Sequence, residues 1–332
     1  MDTLSRRPRL QKVRPQSRQS IAHAAQRSPA SARPQDVRSR LTCHDFNVTG
    51  IGSRGTPRHE PRRGSDTVVH MARFKVCIEY AGTRYSGWQI QTNARTIQGE
   101  IDRALRDVTK QRTFELYGSG RTDAGVHALE QVAHLDLSTS LPPDTLRRRL
   151  NDALPSDINI LRIEAVPRRF HARHDAVARS YLYQIARRRT AFAKSFVWWI
   201  KEDLDLGLLR TTGALFAGMN DFQSFTDNDA DETSTLVALE RVEVAEDGDL
   251  VLIRIEGSHF LWKMVRRMVG VMVEVARGGL TPGDAERFLR ETSGRPAELT
   301  SPASGLFLER VYYPGDRRRP PLHGMVDVRF PR

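Results

Sequence analysis

The pattern of hydrophobic residues between residues 74 and 166 is the feature that most limits the possible folds. Four short segments have the alternation and composition of strands, and two have the signals of amphipathic helices. The predicted strands span 74–80, 114–117, 131–137 and 158–166, and the predicted helices span 97–108 and 142–154. This β-α-β-β-α-β order predicts a ferredoxin-like arrangement, in which both helices cover one face of an antiparallel sheet.

The rest of the chain repeats this order more loosely. Strands are predicted over 180–186, 238–244, 250–256 and 306–313, and helices over about 206–217, 260–276 and 282–291. A turn at Glu246–Asp249 joins the second and third of these strands. We therefore predict an α/β (α+β) protein with two ferredoxin-like halves, 72–168 and 169–315. Joined edge to edge, the halves would form one large, mainly antiparallel sheet with a central cleft.

Positive charge is concentrated near the N-terminus. The net charge is +12, and residues 1–71 contain 14 Lys and Arg against 5 Asp and Glu. This segment lacks apolar periodicity, so we expect 1–71 to be a disordered basic extension. It could be an RNA-binding arm, a transit peptide, or sequence upstream of a start at Met71. A start at Met71 is favoured because no amphipathic stripe is present. Residues 316–332 are predicted to be a basic tail.

Composition disfavours several classes of protein. No apolar run approaches the ~20 residues that span a bilayer, so we expect no membrane association. A cytoplasmic location is expected. Organellar targeting by residues 1–70 stays open. The two cysteines, Cys43 and Cys77, cannot build a four-ligand zinc site, and His171 and His174 have no acidic or thiol cluster nearby. No metal site is predicted.

A glycine-rich segment places one carboxylate beside one guanidinium. It runs from Tyr117 to Ala128 with the sequence YGSGRTDAGVHA. Glycine permits positive φ and close approach of the backbone to a partner. Arg121 could hold a phosphate by a bidentate contact close to Asp123. This layout is typical of an active-site loop, and the alternative is an Asx-turn in which Asp123 bonds its own backbone.

The segment GRTDAGVHA at 120–128 resembles the signature of the tRNA pseudouridine synthase A family. Further similarities follow in that family's order and extend the resemblance over about residues 73–314. They are IEYAGT at 78–83, GWQ at 87–89, TIQ at 96–98, FHAR at 170–173, RSYLY at 179–183, DF and SF at 221–225, MVR at 264–266 and GLFL at 305–308. A nine-residue match with ordered secondary matches is far more specific than a lone glycine motif.

The resemblance implies the pseudouridine synthase fold and an isomerase with Asp123 as its catalytic residue. Uridine would become pseudouridine at positions 38 to 40 in the anticodon stem-loop of tRNA. The partner implied is tRNA, bound by a homodimer in which one tRNA touches both subunits. Because the reaction changes no oxidation state, no cofactor is expected.

Four further residues are implied to bind the substrate, namely Arg121, Tyr181, Arg266 and Leu306. Arg121 would fill the space left by a flipped nucleotide or bind its phosphate. The resemblance implies that Tyr181 packs against the uracil, although an aromatic residue on a strand also suits core packing. Arg266 could pair with Asp123, or form with Lys263 and Arg267 a solvated face or a phosphate-binding edge. The expected pocket wall consists of Leu306, Phe222 and Phe225.

Other functions compete with this interpretation. A noncatalytic RNA-binding module suits ferredoxin-like sheets, but Asp123 would then repel phosphate without benefit. A glycoside hydrolase needs two carboxylates beside the bond, and one is evident. A pseudouridine synthase acting on another RNA also stays open. So does the chemical role of Asp123, which could attack C6 or C1′ or remove a sugar proton.

Overall fold

The computed structural model describes residues 71–227, 234–318 and 321–329. The predicted N-terminal extension therefore lies outside the described residues, apart from Met71, and so does the end of the predicted basic tail. Within these described ranges, no helix has the length and apolar character needed to cross a membrane.

The N-terminal half has the predicted β-α-β-β-α-β order. Its elements are β1 (Ala72–Tyr80), α1 (Ile97–Thr109), β2 (Glu115–Gly118), β3 (His127–Leu137), α2 (Pro143–Ala153) and β4 (Ile158–Val166). The strands lie in the order β4-β1-β3-β2, and each neighbouring pair is antiparallel. This order confirms the ferredoxin-like arrangement. The Thr96 side chain caps α1 by accepting a hydrogen bond from the amide of Gly99.

The C-terminal half repeats this order with additions. Its elements are β5 (Ala178–Ala186), β6 (Trp198–Trp199), α3 (Leu206–Leu215), β7 (Gly218–Asp221), β8 (Leu236–Asp247), β9 (Leu250–Gly257), α4 (Met264–Ala276), α5 (Pro282–Arg290), α6 (Arg295–Glu298) and β10 (Leu306–Tyr312). The order β10-β5-β9-β8 corresponds strand for strand to β4-β1-β3-β2. Strand β7 extends the sheet beyond β8, and β6 pairs with the end of β5.

Strand β3 joins the two halves. Its first residues, His127 and Ala128, pair in parallel with Phe307 and Leu308 of β10. Its later part, 133–136, pairs with β2. The sheet is therefore continuous and mostly antiparallel, as predicted. The loop between β2 and β3 lies at the junction of the halves.

Each half has its own hydrophobic core. Helices α1 and α2 pack on the sheet in the first half, and α3, α4 and α5 pack on it in the second. Tyr181 contacts both cores. On another face, Leu322 and Val328 are buried against Leu182 and Leu252. The described part of 316–332 is therefore packed against the sheet, which its basic composition did not indicate.

Some predicted boundaries are wrong. The helix expected from Phe260 begins at Met264, because Lys263 has a left-handed backbone (φ 61°) that an α-helix cannot contain. Strand β3 begins at His127 rather than Gln131, because its first residues find their partner in β10, far away in the chain. Elements β6, β7 and α6 were not predicted, since two to four residues are too few to show a period.

Candidate active site

The loop between β2 and β3 is anchored by the segment that follows β1. The amide of Trp88 donates to the carbonyl of Thr122 at 3.1 Å. The amide of Gly125 donates to the carbonyl of Tyr85 at 3.2 Å. Asp123 lies between these two attachment points. Its position is therefore fixed by contacts from another part of the chain.

The three glycines of this loop differ in what they contribute. Gly125 has a φ of 80°, a conformation that is unstrained only for glycine. Gly118 provides space, since an added Cβ would lie 2.8 Å from the Trp88 ring. An added Cβ on Gly120 would meet no atom within 4 Å. The expected need for positive φ therefore applies to Gly125 in this loop.

Asp123 pairs with Arg266 across the junction of the halves. Nη1 of Arg266 donates to Oδ2 of Asp123 at 3.3 Å, and the two side chains are 18% and 20% exposed. The predicted pairing is therefore present. Arg266 lies in the first turn of α4, where the helix dipole disfavours a positive charge. The carboxylate supplies the compensating interaction.

A second contact orients Arg266. Its Nε donates to the carbonyl of Ser301 at 2.8 Å, and the amide of Ser301 donates back to the carbonyl of Arg266 at 3.1 Å. The Ser301 loop can approach α4 because residue 270 is glycine. A Cβ there would lie 1.7 Å from the carbonyl oxygen of Leu299. The Gly270 contact thus helps to aim the guanidinium at Asp123.

Replacing Gly270 with alanine is expected to lower both stability and activity. The new methyl group must displace Leu299, which typically costs about 1–3 kcal/mol, and Ser301 would move away from Arg266. Thermal melting and kcat/KM measure the two effects. Gly294→Ala is the control, because its Cβ would meet nothing within 4 Å and its φ of −79° suits any residue. Unchanged activity in Gly270→Ala would show that this loop does not position Arg266.

A cleft of about 730 Å³ opens at the junction and is lined by both halves. Five of the residues singled out from the sequence line it, namely Arg121, Asp123, Tyr181, Arg266 and Leu306. Among the described residues that line it, Asp123 alone is acidic. The cationic lining residues are Arg121, Arg173, Arg179, Lys263 and Arg266. Such a cleft attracts a polyanion, and it lacks the second carboxylate that most glycosidases use.

Tyr181 presents a neutral phenol to the cleft. Burial raises its pKa to about 12, and the negative charge of Asp123 adds to the effect. The ring packs edge-on against Phe260, with centroids 4.9 Å apart. Tyr183, two residues further along β5, is fully buried and donates to the carbonyl of Pro302 at 2.7 Å. Tyr181, the tyrosine implied by the resemblance, therefore lines the cleft, whereas Tyr183 belongs to the core.

Arg179 is a cleft residue that was not predicted from the sequence. It lies two residues before Tyr181, so both side chains project from one face of β5, and this spacing was the available signal. Its guanidinium donates to the carbonyls of Ser119 at 3.2 Å and Ser258 at 2.8 Å. Burial lowers its pKa. Arg179 thereby links the Asp123 loop to the turn before α4. Further cleft residues that were not predicted include Arg173, His259 and Trp262.

The expectation that Phe222 and Phe225 form the pocket wall is wrong. Both are fully buried and pack with Phe216 in the C-terminal core. A 3₁₀ turn over Gln223–Phe225 directs them into that core. Leu306 does line the cleft. An apolar residue near a functional motif can therefore belong to the core or the pocket, and sequence does not distinguish them.

Comparison with known proteins assigns the family. The sequence model of tRNA pseudouridine synthase matches residues 76–175 and 214–314. A tRNA pseudouridine synthase A of Geobacillus kaustophilus is 37% identical over 257 residues, covering 77% of this chain and 98% of that protein. Those of Agrobacterium fabrum and Rhodopseudomonas palustris are 35% and 38% identical, covering 78% and 73% of this chain and 100% of each relative. The chain therefore belongs to the tRNA pseudouridine synthase family.

Proposed function

We propose that this protein isomerises uridine to pseudouridine in tRNA, at positions 38 to 40 of the anticodon stem-loop. Membership of the family supports tRNA as the substrate. The observation that carries the proposal is the Asp123–Arg266 pair, which places one carboxylate in a cleft whose other charged lining residues are cationic. The restriction to the anticodon arm comes from the sequence resemblance and is part of the proposal.

This reaction needs one carboxylate and no redox cofactor. The N1–C1′ bond breaks, the uracil turns, and a C5–C1′ bond forms. The proton that C5 loses is balanced by the proton that N1 gains. Asp123 is proposed to attack C6 or C1′, or to remove a sugar proton. Each route requires contact between the carboxylate and the nucleoside, which the cleft permits.

Tyr181 and Leu306 are proposed to hold the uracil. The phenol of Tyr181 is protonated at neutral pH, as an ordinary tyrosine is, and burial raises its pKa further to about 12. Leu306 begins β10, the strand beside β5, and contributes an apolar surface to the cleft. Two uncharged walls suit a planar, neutral base. The Arg266 guanidinium is proposed to orient the carboxylate against that base.

Arg121 is proposed to stabilise the extruded nucleotide. A uridine in a paired stem must leave its stack before it can enter the cleft, at a cost of a few kcal/mol. Arg121 is exposed, lies two residues from Asp123 and lines the cleft. Its planar guanidinium could occupy the vacated space or bind a phosphate by two parallel hydrogen bonds.

Arg121→Lys is expected to reduce kcat more than tRNA affinity. A lysine keeps the charge that attracts the phosphate, but it cannot copy the planar fork that holds the flipped state. Single-turnover rates and equilibrium binding to an unmodified tRNA transcript separate the two effects. Equal losses in rate and affinity would instead identify Arg121 as a phosphate anchor.

An assay on unmodified tRNA transcripts tests the proposed function. Pseudouridine is mapped by sequencing after incubation with the protein, using transcripts in which the uridines at positions 38, 39 and 40 are replaced one at a time by cytidine. Modification confined to these positions is expected. Modification elsewhere in tRNA would reject the anticodon assignment, and binding without any pseudouridine would favour the noncatalytic RNA-binding module.

A homodimer and a cytoplasmic location are also part of the proposal. Both rest on the family resemblance. The location also rests on the expectation that a start at Met71 is favoured over a transit peptide in residues 1–71. Analytical ultracentrifugation of the full chain alone should give the mass of two chains. With tRNA added, it should give the mass of two chains and one or two tRNAs. A monomer that is fully active would reject the requirement for two subunits.

A further inference from the structure

An exposed tryptophan lines the cleft. Trp262 belongs to the turn before α4 and is 44% exposed. Among the described residues that line the cleft, it is the one large hydrophobic side chain with so much exposed surface. By contrast, Trp88 is 2% exposed and packs beneath the Asp123 loop. Trp262 therefore offers apolar aromatic surface to whatever enters the cleft.

The turn that carries Trp262 is held rigidly. Oγ1 of Thr226 donates to the carbonyl of Trp262 at 3.1 Å. Lys263 has a left-handed backbone, which a residue other than glycine adopts only when its surroundings enforce it. Its ammonium lies 4.5 Å from the centroid of the Trp262 ring and bonds the carboxylate of Asp227 at 2.6 Å. Arg267 also pairs with Asp227. The indole is thus stabilised by a cation against its ring.

We propose that Trp262 is a stacking platform for an RNA base next to the target uridine. The proposal rests on the proposed function, because a flipped uridine leaves a neighbouring base with an uncovered face. An aromatic side chain covers such a face without regard to base identity. Lys263 on one face of the indole leaves the other face for the base. Arg121 and Arg173, which also line the cleft, supply positive charge for the phosphates of the same strand.

The chain contains a matched control for this platform. Trp199 is 43% exposed, and the guanidinium of Arg189 lies 5.9 Å from its ring centroid. Its exposure and its cationic neighbour resemble those of Trp262. It lies on β6, however, and is not among the residues that line the cleft. A general effect of removing an exposed tryptophan would appear at both positions.

The test compares wild type with Trp262→Ala, Trp262→Phe and Trp199→Ala. Unmodified tRNA transcript is the probe, and Kd, KM, kcat and melting temperature are measured. Trp262→Ala should raise Kd and KM about tenfold and leave kcat within about twofold, because the base next to the flipped uridine stacks on the indole equally in the bound complex and in the transition state. Trp262→Phe should stay within about threefold of wild type. Trp199→Ala should bind like wild type, and all three variants should melt normally.

Fluorescence gives an independent readout. Binding of tRNA should quench tryptophan emission in wild type and in Trp199→Ala, and the quenching should be smaller in Trp262→Phe. Unchanged affinity in Trp262→Ala, or an equal loss in Trp199→Ala, would overturn the platform. An equal loss in Trp262→Phe and Trp262→Ala would overturn it too, because stacking needs only an aromatic ring. A failure of the proposed function would appear separately, as wild-type protein that forms no pseudouridine.

Discussion

Asp123→Asn is expected to abolish turnover. The variant keeps the size and hydrogen-bonding capacity of the side chain but removes its ability to attack carbon or accept a proton. Loss of such a group should slow the reaction at least about 10³-fold, equivalent to about 4 kcal/mol of barrier. The rate of pseudouridine formation under single-turnover conditions measures this effect directly.

The control for Asp123→Asn is Asp152→Asn, which alters an exposed aspartate on α2 away from the cleft. This control should be as active as wild type. Asp123→Asn itself should melt near the wild-type temperature, since Gly125 and Thr122 hold the loop through backbone hydrogen bonds. Its affinity for tRNA should also persist. Turnover within about tenfold of wild type would remove Asp123 from the chemical step.

Arg266→Lys is expected to reduce kcat by about 10²-fold or more. The guanidinium uses Nε for the carbonyl of Ser301 and Nη1 for the carboxylate of Asp123, so it joins two loops through one planar group. A lysine ammonium is a point donor on a flexible stem and cannot keep both contacts in this geometry. The measurement is kcat on unmodified tRNA, with KM followed separately.

A surface pair provides the control for Arg266→Lys. Arg290 pairs with Glu286 on α5, where the side chains are 72% and 44% exposed. Exposed ion pairs contribute little, so Arg290→Lys should leave both activity and melting temperature unchanged. If Arg266→Lys is equally harmless, the charge of residue 266 suffices and the two directed contacts do not matter for the reaction.

The sequence predicted the elements whose signals are local. The strand and helix periods between residues 74 and 166 were sufficient for the ferredoxin-like order. The predicted boundaries were wrong where contacts with distant parts of the chain set the start of an element. The start of β3 depends on β10, and the start of α4 depends on the turn at Lys263, which Asp227 and Thr226 stabilise from an earlier loop.

The residues of the candidate site also fall into two groups: those that a local motif identifies and those whose place depends on distant contacts. The glycine-rich segment identified Asp123 and Arg121, because a motif of adjacent residues is visible without a fold. Arg266 could be named from the resemblance, but its contact with Asp123 exists only because β3 and β10 join the two halves. Phe222 and Phe225 were placed at the pocket and belong to the core, because nothing local distinguishes the two environments.

The class of fold, the family and the loop that carries the carboxylate could be predicted from the chain, since they depend on neighbouring residues and on the order of motifs. Which residues share the cleft depends on the folded structure. Trp199 and Trp262 are similarly exposed and each has a basic residue near its ring, yet only Trp262 lines the cleft. Side chains distant in sequence are brought together by packing and strand pairing, and no local pattern specifies the partners in those contacts.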